Sequence, residues 1–374
     1  MTKKVLHVIT SLELGGAETA LYRLLMAMQN QPYEFFVLVL KDEGHYSAQI
    51  NAMGIPIHYL HLTKTNVLSA FLHGLAHIKR LKPDVVQTWM YHADLFGGLA
   101  AKIAGVKNII WGVRCEGVGL KPATRMIQKF CAALSWMIPN IVMMNSNIAV
   151  TNHRRLGYQF KKMRVIHNGF DMSALSSQNT APTLDNTLPP NAFLIGTLAR
   201  FHQDKGYETL IASIDKVCER HQNIYFVFCG QGCSQQNLIL QKQLHQLKHQ
   251  DKVILINGVA DTIGYLNKLN LFVLPSRTEA FPNCLAEAML CELPCVATDV
   301  GEVQHILGEV GLVVPKENPE ALTDALLTMV EKSPEERMRL GCIGKNRVES
   351  KFSMDKNMKM VSSLYEIGST ACVE

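Results

Sequence analysis

The stretch LFVLPSRTEAFPNCLAEAML, residues 271–290, carries the decision about the fold. Its first four residues are an apolar run without polar alternation, the pattern of a strand buried on both faces. Pro275 follows, and Pro282 fixes its own φ while pushing Phe281 toward extended geometry. A helix therefore starts near Pro282 or Asn283. Glu279 is left on the turn before it, and Glu287 falls one turn inside.

The same succession of strand, turn and helix recurs along the 374 residues. Strands are expected at 4–10, 35–40, 84–89, 108–113, 141–146 and 163–169, and again at 193–199, 224–230, 252–258, 271–275 and 294–299. Helices fall between them, among others at 17–29, 68–80, 94–104, 206–221 and 319–331. Apolar strands alternating with helices predict an α/β fold of parallel sheets covered on both faces. The Pro-rich, polar stretch SALSSQNTAPTLDNTLPP reads as a linker at 173–190, between a first domain at 1–172 and a second at 191–352. A helix at 353–370 is expected to pack back on the first domain. Two doubly wound Rossmann-like domains facing a central cleft follow, with ligands beyond the strand C-termini.

Composition narrows the class. Hydrophobic residues at 48% and charged residues at 18% describe a globular protein with large cores. Neither a signal peptide nor a spanning helix is expected, because Pro139, Asn140 and Asn145 interrupt the longest apolar stretch. Ten cysteines without a paired zinc spacing read as free thiols of a cytoplasmic protein; Cys229, Cys233, Cys291 and Cys295 are expected to be buried. The net charge of +5 is uneven: residues 1–172 carry 19 Lys and Arg against 9 Asp and Glu, and the remainder 18 against 23. The first half is therefore suited to meet something anionic.

Four strand-to-helix turns hold chemistry-bearing residues. Gly15 and Gly16 in ITSLELGGAETAL open a helix after the first strand and expose amides at the positive end of its dipole. Read alone, the pair serves a tight turn equally well. In GTLARFHQDKGYETL, Arg200 and Lys205 bracket a loop and make a clamp for a diphosphate. Gly230 and Gly232 in FCGQGC are a fragment of a dinucleotide fingerprint, too incomplete for an NAD site. On the opening stretch, the helix start around Phe281, Pro282 and Asn283 presents backbone amides that suit an anion, Glu287 suits the two hydroxyls of a ribose, and Glu279 is left for a sugar.

These motifs resemble those of glycosyltransferase family 4, retaining enzymes of the GT-B fold. GTLARFHQDKG, the segment LFVLPSRTEAFPNCLAEAMLCELPCVATDVGEVQHIL, GLVVP, VIHNGFD and LGGAETAL all match that family's pattern. The resemblance implies that Glu279 lies against the transferred sugar, that Glu287 binds the nucleotide ribose, and that Arg200 and Lys205 hold the diphosphate. It places His92, in TWMYHADLFGGLAA, against the sugar from the first domain. Gly230-Gln231-Gly232 and His167 depart from the usual Gly-Asp-Gly and Pro. With no Asp-x-Asp in the sequence, no metal or other cofactor is expected, and fixed cations and helix amides must stabilise the leaving diphosphate.

The expected function is a retaining, metal-independent transfer from a nucleotide-diphosphate sugar, by default UDP-linked, to a glycan or lipid-linked acceptor in surface-polysaccharide or lipopolysaccharide biosynthesis. A nucleotide-sugar epimerase, which needs an acid/base carboxylate pair in the first domain, and a non-enzymatic sugar-nucleotide sensor are the alternatives. No nucleic-acid partner is expected. In GLKPATRMIQKFCAALSWMIP, Lys121, Arg125 and Lys129 run beside an apolar stripe of Met126, Ile127, Phe130, Cys131, Leu134, Met137 and Ile138. A basic amphipathic helix of that kind suits an anionic membrane surface, and so peripheral docking on the inner face of the cytoplasmic membrane.

Overall fold

A computed structural model of the chain describes residues 2–171, 188–189, 191–259 and 261–367. The expected linker at 173–190 lies outside the described residues except for Leu188 and Pro189, as do residues 368–370 of the expected C-terminal helix. The chain divides into two compact units, Met1–Gly169 with Met354–Glu374, and Phe170–Ser353.

The first unit holds a seven-stranded sheet in the order β3-β2-β1-β4-β5-β6-β7. Its strands are β1 Lys3–Ile9, β2 Tyr33–Val39, β3 Ile57–Tyr59, β4 Val85–Trp89, β5 Asn108–Val113, β6 Ile141–Met144 and β7 Met163–Val165. Every pairing is parallel, with Val5 opposite both Phe35 and Val85. Side chains alternate between two cores: Val5 and Ile9 of β1 face one, Leu6 and Val8 the other. Double burial is why these strands carry no polar alternation.

The second unit holds a six-stranded parallel sheet in the order β10-β9-β8-β11-β12-β13. Its strands are β8 Phe193–Leu198, β9 Ile224–Cys229, β10 Val253–Ile256, β11 Leu271–Leu274, β12 Cys295–Thr298 and β13 Leu312–Val314. Each unit reverses its strand order once, between β1 and β4 and between β8 and β11, which is where a doubly wound sheet opens a ligand crevice beyond its strand ends.

The structure adds β3 and β13, three-residue edge strands too short to show a period of their own. It also starts the fourth-strand helix at Met90 instead of residue 94. Met90 adopts φ 71°, a left-handed turn that sends the chain from β4 straight into the helix Met90–Ile103 and places His92 in its first turn.

The C-terminal helix Met354–Glu366 belongs to the first unit. Val361, Leu364 and Tyr365 are buried against the Val5/Ile9 face of the sheet. The Tyr365 hydroxyl donates to Gln87 Oε1, Asn108 Nδ2 donates to the Leu364 carbonyl at 2.9 Å, and Lys3 pairs with Glu366. Two polar strand residues are thereby matched by a segment more than 250 positions away.

Of the cysteines expected to be buried, Cys229, Cys233 and Cys295 are, and Cys291 is half-buried; Cys342 is exposed, and all nine described cysteines are free thiols.

Candidate active site

In the second unit, the turn after β11 carries Ser276 and Glu279, and the turn after β8 carries Lys205. Lys205 Nζ donates to Glu279 Oε1 at 2.6 Å, and Ser276 Oγ donates to the same oxygen at 2.9 Å. The side chains of Lys205 and Glu279 are 22% and 13% exposed, so the pair is shielded but reachable. Burial works to lower the Lys205 pKa, but the Glu279 carboxylate outweighs it and the net shift is upward. The ammonium is thus held charged. Two residues assigned by sequence to different parts of a ligand therefore touch.

Backbone contacts fix the cluster. Gly206, at φ 63°, lies so close to β11 that a Cβ would sit 2.0 Å from the Pro275 carbonyl. Arg277 N donates to the Asp204 carbonyl at 2.8 Å, tying the two turns together. On the other side, Gly301 has φ 55° and room for no Cβ, which would lie 1.9 Å from the Glu279 carbonyl. The Thr298 hydroxyl donates to Ser276 O at 2.6 Å. Glu279 is thus carried on a turn gripped from both flanks, the condition for a preorganised carboxylate.

The helix Asn283–Leu290 begins at the expected residue, with Pro282 as its N-cap and no side chain capping it. Its first amides and positive dipole end lie at the end of the turn that bears Glu279. Glu287 is buried one turn inside, at 6% exposure. Between the carboxylates sits Cys284, whose thiol is pushed up to about 12, first by burial and then by Glu279. Arg200 is exposed on the loop after β8 and, among the described residues, makes no ion pair. Gly230, at φ 147°, lets the end of β9 pass that loop, since a Cβ would sit 2.0 Å from the Ala199 carbonyl.

In the first unit, Gly16 opens the helix Gly16–Ala27 with Gly15 as N-cap. The anion nearest that helix start is the chain's own: the Glu18 carboxylate lies over Gly15, where a Cβ would come within 2.3 Å of Oε2. Ser11 Oγ donates to Glu18 Oε1 at 3.4 Å, and burial raises the Glu18 pKa. His92 is exposed, and its pKa is lowered by burial and then by Lys41.

The apolar stripe expected on residues 121–138 divides. The helix runs Pro122–Leu134 with Lys121 as N-cap. Cys131 and Ile138 are buried, and Ile127 and Leu134 pack beside them. Met126, Phe130 and Met137 instead stand 58%, 55% and 72% exposed, next to the exposed Arg125 and Lys129. The two halves of the stripe lie on adjacent faces, and the packed half meets the helix Met90–Ile103, where the Cys131 thiol donates to the Tyr91 carbonyl.

Sequence reasoning missed Ser276 and Gly301 as site-builders. Ser276 stood three residues before Glu279, a spacing that lets it reach back along a turn; Gly301 has no local signal, since its close contact is with residues 279–280.

Two family models match: glycosyltransferase family 4 over residues 14–174 and glycosyl transferases group 1 over residues 192–332. The chain is 28% identical to the capsular polysaccharide biosynthesis glycosyltransferase CapM of Staphylococcus aureus over 321 residues, 80% of each chain. Among solved structures it is similar to Anabaena HepE in complex with UDP-glucose, with TM-score 0.84 at 18% identity, covering 96% of this chain and 98% of that one. Sucrose-phosphate synthase of Thermosynechococcus elongatus gives TM-score 0.80 at 18% identity over 97% and 98% of the two chains. At these identities the likeness establishes the GT-B architecture of two parallel-sheet domains.

Proposed function

Because the chain belongs to the family 4 glycosyltransferases, and is an enzyme and not a sensor, we propose that it transfers a sugar from a UDP-sugar to a glycan or lipid-linked acceptor in surface-polysaccharide assembly, with retention of anomeric configuration and without a metal. The observation that carries this reading is the Lys205–Glu279–Ser276 cluster at the mouth of an uncapped helix that bears Glu287 one turn in. Lys205, Arg200 and the helix amides of Asn283 and its neighbours supply the positive field that a departing diphosphate needs. Glu287 binds the ribose hydroxyls, which donate to its carboxylate. Glu279, freed from Lys205 when a diphosphate takes the ammonium, accepts from the sugar, and the family resemblance assigns His92 to the sugar as well. CapM's name and HepE's bound UDP-glucose support the polysaccharide setting and the choice of donor.

Thermal denaturation with UDP-, GDP- and ADP-sugars tests the donor. A ligand at 100 times its Kd stabilises by about 2.7 kcal/mol, so the true donor is expected to stand apart. Product analysis then separates transfer from epimerisation, and Glu287→Gln should weaken the whole nucleotide about tenfold or more. Turnover abolished by chelator and restored by magnesium or manganese would refute the metal-free mechanism.

The exposed Met126, Phe130 and Met137 beside Arg125 and Lys129 support a further part of the proposal, that the first unit rests on anionic lipid. Among the described residues no helix is long and apolar enough to cross a membrane. Each cation at an anionic surface contributes about 1 kcal/mol. Co-sedimentation with anionic vesicles is expected to fall as salt rises and to drop when Lys121, Arg125 and Lys129 are changed together to Gln. Equal recovery with neutral vesicles, or none with either, would leave a soluble glycan as the acceptor.

A further inference from the structure

Arg114 follows β5 directly, at the C-terminal end of the first unit's sheet, the end at which doubly wound sheets bind ligands. Its guanidinium lies over the Trp89 ring, 4.9 Å from the centroid, and donates through Nη2 to Asn168 Oδ1. Among the described residues no carboxylate lies within ion-pair distance of it. The side chain is half-buried, and burial brings its pKa down to about 10, which leaves it charged at neutral pH. A guanidinium has five N–H donors, and the described partner here is one neutral oxygen. A sunken cation without counter-charge is costly unless something supplies the anion.

The loop after Arg114 is held rigidly. Gln128 Nε2 donates to the Gly117 carbonyl at 3.0 Å and to the Tyr91 hydroxyl at 2.9 Å. Tyr91 in turn donates to His153 Nε2 at 2.6 Å, since His153 Nδ1 uses its proton on the Ala149 carbonyl. Asn152 Nδ2 donates to the Glu116 carbonyl at 3.1 Å. This buried network spends several polar side chains on one loop, and the cation at its base is preorganised as a result. Lys41, just after β2, adds positive charge along the same sheet edge, where it helps to lower the pKa of His92.

We propose that Arg114 is an acceptor-binding residue, whose guanidinium takes an anionic group of the acceptor, a phosphate or a carboxylate, in a two-pronged contact. The inference rests on the glycosyl-transfer reading and adds to it that the acceptor is charged. The competing role is structural, a cation that merely fastens Asn168 to Trp89.

The test uses the full chain saturated with UDP, so that the diphosphate-binding cations are already occupied. Inorganic phosphate, glucuronate and glucose are each titrated while the melting temperature is followed. Phosphate or glucuronate is expected to raise it and glucose not, and whichever anion acts identifies the group. Arg114→Gln should weaken that response about ten- to a hundredfold, and Arg114→Lys should retain part of it, keeping the charge but losing the fork. If neither anion stabilises the wild type, or if Arg114→Gln responds as the wild type does, the proposal is overturned. Should Arg114→Gln fail to fold, the Arg114→Lys comparison decides on the same criterion. UDP that gave no stabilisation would count against the donor reading instead, and the anion titrations would then be compared in its absence.

Discussion

Lys205→Ala is expected to cut turnover about 100- to 1,000-fold, the range for removing one preorganised donor from a developing negative charge, ~2.7–4 kcal/mol of barrier. The reason lies in the 2.6 Å contact with Glu279: the ammonium is already positioned and partly stripped of water before a ligand arrives. Steady-state kinetics with the matched UDP-sugar measures the loss. Glu279→Gln should also lose turnover but keep free UDP affinity nearly intact, because its proposed partner is the sugar. Equal loss of UDP binding in both variants would sink the division of roles. The pH dependence carries a sign. The Lys205 pKa is raised, so the stability contributed by its charge is fully present below the ordinary value of 10.5 and is lost only as pH rises through the folded value. Between pH 6 and pH 9 this pair should add no slope to urea midpoints; a slope there that vanished in Lys205→Ala would contradict it.

The second large effect is on stability. Tyr365→Ala should destabilise the chain by ~3–5 kcal/mol, because it deletes a fully buried aromatic ring from the C-terminal helix and opens a cavity over the sheet. Tyr365→Phe keeps the ring but leaves Gln87 Oε1 without its donor, an expected cost of ~1–3 kcal/mol. Urea denaturation of the two variants separates packing from hydrogen bonding. If both midpoints stayed at the wild-type value, the helix Met354–Glu366 would contribute nothing to the first unit.

Much of this protein was determined by the sequence alone. Strands such as LFVL at 271–274 are uninterrupted by polar residues because parallel strands bury both faces, and that is a local signal. Pro282 set the start of the helix that carries Glu287 for an equally local reason, its fixed φ. The candidate side chains Lys205, Glu279 and Glu287 were legible as charges on strand-to-helix turns. Their meeting was not. Lys205 and Glu279 are 74 positions apart, and what joins them is the adjacency of β8 and β11, a pairing that no periodicity encodes. Gly301 and Gly206 matter only because backbone from other turns passes within van der Waals distance of where a Cβ would be. His92 shifted into a helix because Met90 adopts a left-handed turn that its side chain disfavours and its surroundings impose. The division of the apolar stripe at 121–138 into a packed half and an open half was likewise settled by tertiary contact, since hydrophobicity states what gains from burial and not whether a neighbour is there to cover it. Arg114 is the same case in reverse: one arginine among many in a basic half, set apart only once the fold places it over Trp89 with no carboxylate in reach among the described residues.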